Sequence, residues 1–218
     1  MHQDLGTTRF YNAYAATLCE ATESRRSAML PFILSAVDAG SSVLDVGAGS
    51  GRDVAAMLKH GLDAFGVEPN DAMRALAHAS HPQLVGRLHG GSLPGLGRPF
   101  VGERPDGFDA VVCSAVLMHV HADQLEAALT ALWTQLRGPH GSSDGPSPLM
   151  FISLPQMTAS RLTADRDPDG RAFFNHSPDG LERLLAGRGM VLKRKEVSEA
   201  ALQGSGTLWH TLVFQRAD

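Results

Sequence analysis

Only two cysteines, Cys19 and Cys113, occur in 218 residues, too few for a disulfide scaffold or a thiolate metal cluster. Cys19 falls in a helical pattern and Cys113 at the end of an apolar strand, so both read as reduced core residues. The ten histidines are scattered, with no HExxH or closely spaced Cys/His set, and no metal is expected. No apolar run approaches the ~20 residues that span a bilayer. The start, Met1-His2-Gln3-Asp4, lacks a basic region leading into an apolar one, and the expectation is a cytoplasmic protein. Basic residues are not in excess either: 19 Lys and Arg stand against 23 Asp and Glu, a net charge of -4. That balance weighs against a broad nucleic-acid surface.

What is present is 43% apolar residues, enough to fill a core. Residues 10–37 carry Phe10, Tyr14, Leu18, Met29, Ile33 and Val37 at roughly helical spacing, with Pro31 either kinking the region or opening a second helix. Then short apolar strands alternate with helices. Strands are expected at 43–46, 63–67, 84–88, 109–113 and 149–153, and helices at 52–59, about 70–79 and 125–136. The stretch 93–107 is too rich in Gly and Pro for a full helix, although a crossover between parallel strands normally contains one. Residues 139–148 read as a polar surface loop. Ser177 is the candidate N-cap of a helix with Pro178 in its first turn, and 190–197 and 207–214 read as terminal strands, with an antiparallel pair as the expected arrangement. This order points to an α/β fold, one mostly parallel sheet covered by helices.

The sharpest local signal is Val43-Leu44-Asp45-Val46 followed by Gly47-Ala48-Gly49-Ser50-Gly51. A strand, a glycine turn and a helix in succession allow close backbone approach and bring backbone N–H groups beside a ligand. The bland alternative is a tight strand-to-helix turn. The spacing is not the G-x-G-x-x-G of dinucleotide folds, and Asp45 stands where a pyrophosphate would be repelled. A ligand bearing an ammonium or sulfonium suits that carboxylate better. Glu68, at the end of the second strand, is placed to accept hydrogen bonds from ribose hydroxyls.

Leu44–Gly51, Glu68 and the stretch from Asp109 to Ser114 and on to His119 together resemble the class I S-adenosylmethionine-dependent methyltransferases, over residues 40–155. The resemblance implies a doubly wound, mostly parallel seven-stranded sheet of order 3-2-1-4-5-7-6 with an antiparallel last strand. It implies one domain over 1–218, with 1–40 a helical lid and 156–180 an acceptor-site insertion. It implies S-adenosyl-L-methionine as methyl donor and S-adenosyl-L-homocysteine as product. Asp45, Gly47, Ala48, Gly49 and Gly51 would then face the methionine part of the donor and Glu68 its ribose. Pro69 and Met73 would shape the nucleoside pocket, Met73 having helix packing as its alternative. Gly91, Ser92 and Leu93 would form the adenine side, where many family members carry an acidic residue and this chain has Gly91-Ser92. Ser114 and Leu117 would line the donor, with Met118 toward the acceptor and His119 near the methyl group as a candidate base.

The acceptor walls are less specified. Tyr11 and Tyr14 fit a lid, with aromatic packing as the alternative, and Arg26 could neutralise a carboxylate or lie on a solvated face. Arg171, Phe173 and His176 combine charge with apolar surface and suit an anionic or aromatic small molecule. The expected activity is methyl transfer to a soluble small molecule by a monomer or homodimer. The alternatives are a non-catalytic S-adenosylmethionine-binding regulator, a nicotinamide-dependent reductase and a nucleic-acid methyltransferase. The last lacks support from any Asn/Asp-Pro-Pro-Tyr/Phe motif after the fourth strand.

Overall fold

Two of the apolar strands read from the sequence, Ser42–Val46 (β1) and Asp63–Val67 (β2), pair in parallel and are almost wholly buried, as strands covered on both faces must be. A computed structural model describes residues 4–18, 27–138, 146–199 and 207–217. The remaining strands are Leu88–His89 (β3), Ala110–Ser114 (β4), Leu149–Met157 (β5), Met190–Glu199 (β6) and Thr207–Arg216 (β7). They form one seven-stranded sheet in the order β3-β2-β1-β4-β5-β7-β6. Pairings from β3 to β5 are parallel, while β7 runs antiparallel to both β5 and β6.

Alternation along each strand sends side chains to two cores. Leu44, Val46, Val111, Cys113, Met150 and Ile152 point to one face, and Val43, Ala64, Val112, Phe151 and Val213 to the other. Helices Leu125–Trp133 and Pro178–Ala186 cover the first face. Helices Leu30–Ala36, Arg52–Lys59 and Asp71–Ser80 cover the second. In chain order, with Leu5–Thr17 as α1, these are α2 (Leu30–Ala36), α3 (Arg52–Lys59), α4 (Asp71–Ser80), α5 (Leu125–Trp133) and α6 (Pro178–Ala186).

Local chemistry sets the boundaries. The side chains of Asp4, Asn70 and Ser177 each accept a backbone N–H of the helix that follows them, the usual satisfaction of orphan donors at a helix start. Pro31 sits in the first turn of α2, so it opens a second helix rather than kinking one. The expected strand over 84–88 shrinks to Leu88–His89, because Pro82–Leu84 forms a 3-10 turn and Leu84 packs in the core beneath Gly51. No helix forms over 93–107. There Leu96 and Phe100 are buried without one, the Phe100 ring tilted against that of Phe65 with centroids 4.9 Å apart. Cys113 is a buried free thiol whose pKa burial pushes up. Cys19, Arg26 and residues 139–145 of the expected surface loop lie outside the described residues.

Candidate active site

A cavity of about 410 Å³ opens at the carboxyl ends of β1, β2 and β4, the crevice where open α/β sheets hold ligands. Its floor is the turn after β1, where Gly47, Gly49 and Gly51 all adopt positive φ, a region that side-chain-bearing residues resist. A Cβ on Gly47 would overlap the Val116 side chain. The turn spends its N–H groups internally. Those of Gly47 and Ala48 donate to Val67 O at 2.8 and 3.0 Å, that of Gly51 to Ala48 O at 2.9 Å, and that of Gly49 to Glu68 Oε2 at 2.9 Å. The expected cradle of N–H groups beside a ligand is therefore corrected for these four, and what the glycines supply is close approach.

Two carboxylates mark the floor. Glu68 accepts from Gly49 N and, at 2.8 Å, from Asn70 N, so it ties the glycine turn to the start of α4. Each of its oxygens keeps a further lone pair for a donor. Burial, the larger effect, raises its pKa against those two backbone bonds. Asp45 lines the cavity, is 5% exposed and receives no hydrogen bond among the described residues. Burial first, then the nearby charges of Asp53 and Glu68, push its carboxyl well above the usual range. A carboxylate so little exposed is stabilised as an anion by a cation or a donor beside it, and the cavity is the side from which Asp45 can receive one.

The opposite wall is one face of α1. Asp4, Thr7, Tyr11, Tyr14 and Leu18 recur every three or four residues and all line the cavity. Thr7 is the one fully buried residue of that helix, and polar contacts hold it: Asn70 Nδ2 donates to Asn12 Oδ1 at 2.8 Å, and Arg166 forms a two-armed ion pair with Asp4 at 3.0 and 2.8 Å. Where the walls meet, Tyr11 Oη lies 3.2 Å from His119 Nε2. His119 Nδ1 lies 2.6 Å from the Ala172 carbonyl oxygen. A carbonyl only accepts, so Nδ1 carries the proton and Nε2 offers its lone pair to the Tyr11 hydroxyl. Burial lowers the His119 pKa and raises that of Tyr11, leaving a neutral imidazole beside a neutral phenol at pH 7.

The cavity thus gathers Asp45, Gly47, Ala48, Gly49, Glu68, Pro69, Met73, Gly91, Ser92, Leu93, Ser114, Tyr11, Tyr14 and His119. Six other candidates stand apart from it. Gly51 turns the chain into α3 against Leu84 and Ala77. Leu117 and Met118 are buried in a 3-10 turn, Leu117 within the core. Phe173 is buried, and so is His176, whose Nε2 bonds the carbonyls of Leu117 and Val120 at 2.9 and 3.0 Å. Arg171 pairs with the buried Asp167 and lies 4.4 Å from the Phe10 ring centroid. Residues 156–180 therefore stand behind His119 and α1 and contribute no lining residue. Sequence reading missed Asp4 and Thr7, whose helix spacing with Tyr11 was a usable signal. It also missed Arg52, Asp53 and Gln124, and Ala115, held at φ 57° just after β4, which no sequence signal marked.

A sequence model of the family described as methyltransferase domain matches residues 20–190. The chain belongs to that family. No curated protein matches the sequence. Among solved structures, magnesium protoporphyrin IX methyltransferase from Synechocystis PCC 6803 with bound SAH is 14% identical. It aligns over 97% of this methyltransferase-family chain and 86% of its own, at a TM-score of 0.65. The 1,6-didemethyltoxoflavin-N1-methyltransferase of Burkholderia thailandensis, with 1,6-didemethyltoxoflavin and S-adenosylhomocysteine bound, is 17% identical over 97% and 85% at 0.65. A TehB-like SAM-dependent methyltransferase from Corynebacterium glutamicum is 19% identical over 95% and 94% at 0.61. At these identities the likeness is one of fold.

Proposed function

We propose that the protein transfers a methyl group from S-adenosylmethionine to a small aromatic acceptor bearing an ionisable O–H or N–H. The observation that carries this reading is Asp45, a buried carboxylate with no donor of its own, facing a glycine-floored crevice. The donor supplies an electrophilic methyl on a cationic sulfur, together with an ammonium and a ribose. Asp45 suits the positive charge and Glu68 the ribose hydroxyls, and the solved methyltransferases with SAH or S-adenosylhomocysteine bound share this fold. A pyrophosphate cofactor suits the site less, since four N–H groups of the turn are already engaged and two carboxylates face the space.

On the acceptor side, Tyr11, Tyr14, Leu18 and Val120 offer aromatic and aliphatic surface. Arg52, the cation lining the described cavity, is paired with Asp53 at 3.1 Å. Arg171 is neutralised by Asp167, so an uncharged aromatic acceptor fits better than an anionic one. Gly47, Ala48 and Gly49 leave room for the donor, and the face of α1 that forms the opposite wall holds the acceptor against the methyl and keeps water out. As the nucleophile loses its proton, Tyr11 Oη accepts it while passing its own to His119 Nε2, leaving an imidazolium held by Ala172 O. His119 thus acts through Tyr11 rather than directly.

The test is acceptor-dependent formation of S-adenosylhomocysteine across a panel of phenols, heteroaromatics, amines and carboxylates of matched size. Turnover with phenols or heteroaromatics at least tenfold above carboxylates is expected. Donor affinity without turnover on any of them would contradict an enzymatic role.

A further inference from the structure

Behind the cavity, residues 163–173 form a small hairpin in which Arg166 and Ala172 pair in antiparallel fashion. Phe173 N closes its base by donating to Asp165 O at 2.8 Å. Its turn is wrapped around one side chain. The Asp167 carboxylate, with none of its surface exposed, accepts from the backbone of Asp169 at 3.0 Å and of Arg171 at 2.9 Å, and from Arg171 Nε at 2.7 Å. A buried anion so fully satisfied fixes the backbone around it, because releasing any one donor leaves uncompensated charge.

The residue delivered by this turn is Ala172, and both of its backbone groups are used at the active site. Its N–H donates to Thr7 Oγ1 at 2.9 Å, and Thr7 Oγ1 in turn donates to Asp4 Oδ1 at 3.0 Å, so the hairpin grips α1. Its carbonyl accepts the hydrogen bond that His119 Nδ1–H donates. We infer that Asp167 is a positioning residue for His119: by holding the 167–172 turn it fixes the Ala172 carbonyl, which fixes the imidazole tautomer that presents Nε2 to Tyr11. The same carbonyl stabilises the imidazolium formed when a proton arrives. The groups that face the ring are Tyr11 and Asp4 from α1 and Asp167 and Arg171 from the hairpin. The two hairpin charges form a pair, burial keeps the ring neutral, and the carbonyl sets which nitrogen holds the proton.

This inference rests on the reading of His119 as a proton acceptor, but its test needs neither donor nor acceptor. Long-range proton–nitrogen NMR of the histidine rings at pH 8, with His119 assigned from a His119→Gln variant, reports which nitrogen carries the proton. The wild-type ring is expected in the Nδ1–H form. Asp167→Asn, whose amide oxygen still accepts the two backbone N–H groups but whose amide nitrogen cannot accept from Arg171, is expected to keep it in part. Asp167→Ala is expected to move His119 mainly to the Nε2–H form that free imidazole side chains prefer in water. Arg171→Met, which removes the Nε and Nη2 contacts to Asp167 and keeps the backbone one, should populate that form in part and gives a second reading should Asp167→Ala not fold. An unchanged Nδ1–H form in folded Asp167→Ala, or in Arg171→Met if the former does not fold, overturns the proposal. So does an equal change in Asp169→Ala, which leaves the Asp167 bonds in place. Unaltered methyl transfer in His119→Ala would instead remove the underlying reading, so the two failures are separable.

Discussion

Replacing Asp45 with Asn should stabilise the protein and impair donor binding at the same time. The carboxylate is buried without a hydrogen-bond donor among the described residues, beside the charges of Asp53 and Glu68. Its folded pKa is raised, so the native chain keeps a proton that the unfolded chain releases, and stability present at acid pH is lost as pH climbs from about 4 toward the folded value. The ceiling follows from linkage. Each pH unit by which the folded value stands above the unfolded value near ~3.9 costs about 1.4 kcal/mol once the pH has passed it. Asparagine is neutral throughout. Asp45→Asn and wild type should therefore be alike near pH 4 and diverge with rising pH, the variant gaining more than about 1 kcal/mol by pH 7.5. Urea denaturation at pH 4.5, 6 and 7.5 measures this, and calorimetry with S-adenosylmethionine should show affinity at least tenfold weaker for the variant. A stability difference that does not grow with pH, or an unchanged donor affinity, would refute the reasoning.

Other substitutions probe the remaining parts of the site. Glu68→Ala strips acceptors from Gly49 N and Asn70 N, and should cost about 1–3 kcal/mol in denaturation and weaken S-adenosylhomocysteine binding at least tenfold by calorimetry. Gly47→Ala combines positive φ with overlap on Val116, and a loss of about 2–4 kcal/mol is expected, read as a lowered thermal midpoint. Tyr11→Phe keeps the ring and removes the hydroxyl on His119; turnover should fall about a hundredfold with donor affinity within about twofold. Because burial lowers the His119 pKa, the neutral, proton-accepting form persists to more acidic pH, and the acid limb of the kcat profile should lie below the ordinary histidine range.

The first half of the sheet was legible because its signals agree. Short continuous apolar runs and the glycine turn between them place β1, α3 and β2 where the structure has them. The third strand was not, since Leu84 is apolar for packing beneath Gly51 rather than for strand pairing. Within the site, Asp45 and Glu68 follow from their position at strand ends. The meeting of Tyr11 with His119 spans 108 residues and depends on how α1 folds back, which no local pattern encodes. Arg171, Phe173 and His176 carry the chemistry expected of an acceptor wall, yet burial and pairing with Asp167 and backbone carbonyls turn them into scaffold. Asp167 itself is one acid among several in its segment, and only its burial sets it apart.

The account turns on the crevice above the glycine turn receiving the methyl donor, and a crystal structure with S-adenosylhomocysteine tests that directly. It should show the ribose hydroxyls on Glu68, the amino group toward Asp45, and the sulfur facing Tyr11 and His119. Density for the ligand elsewhere on the protein, with this crevice empty, would contradict it.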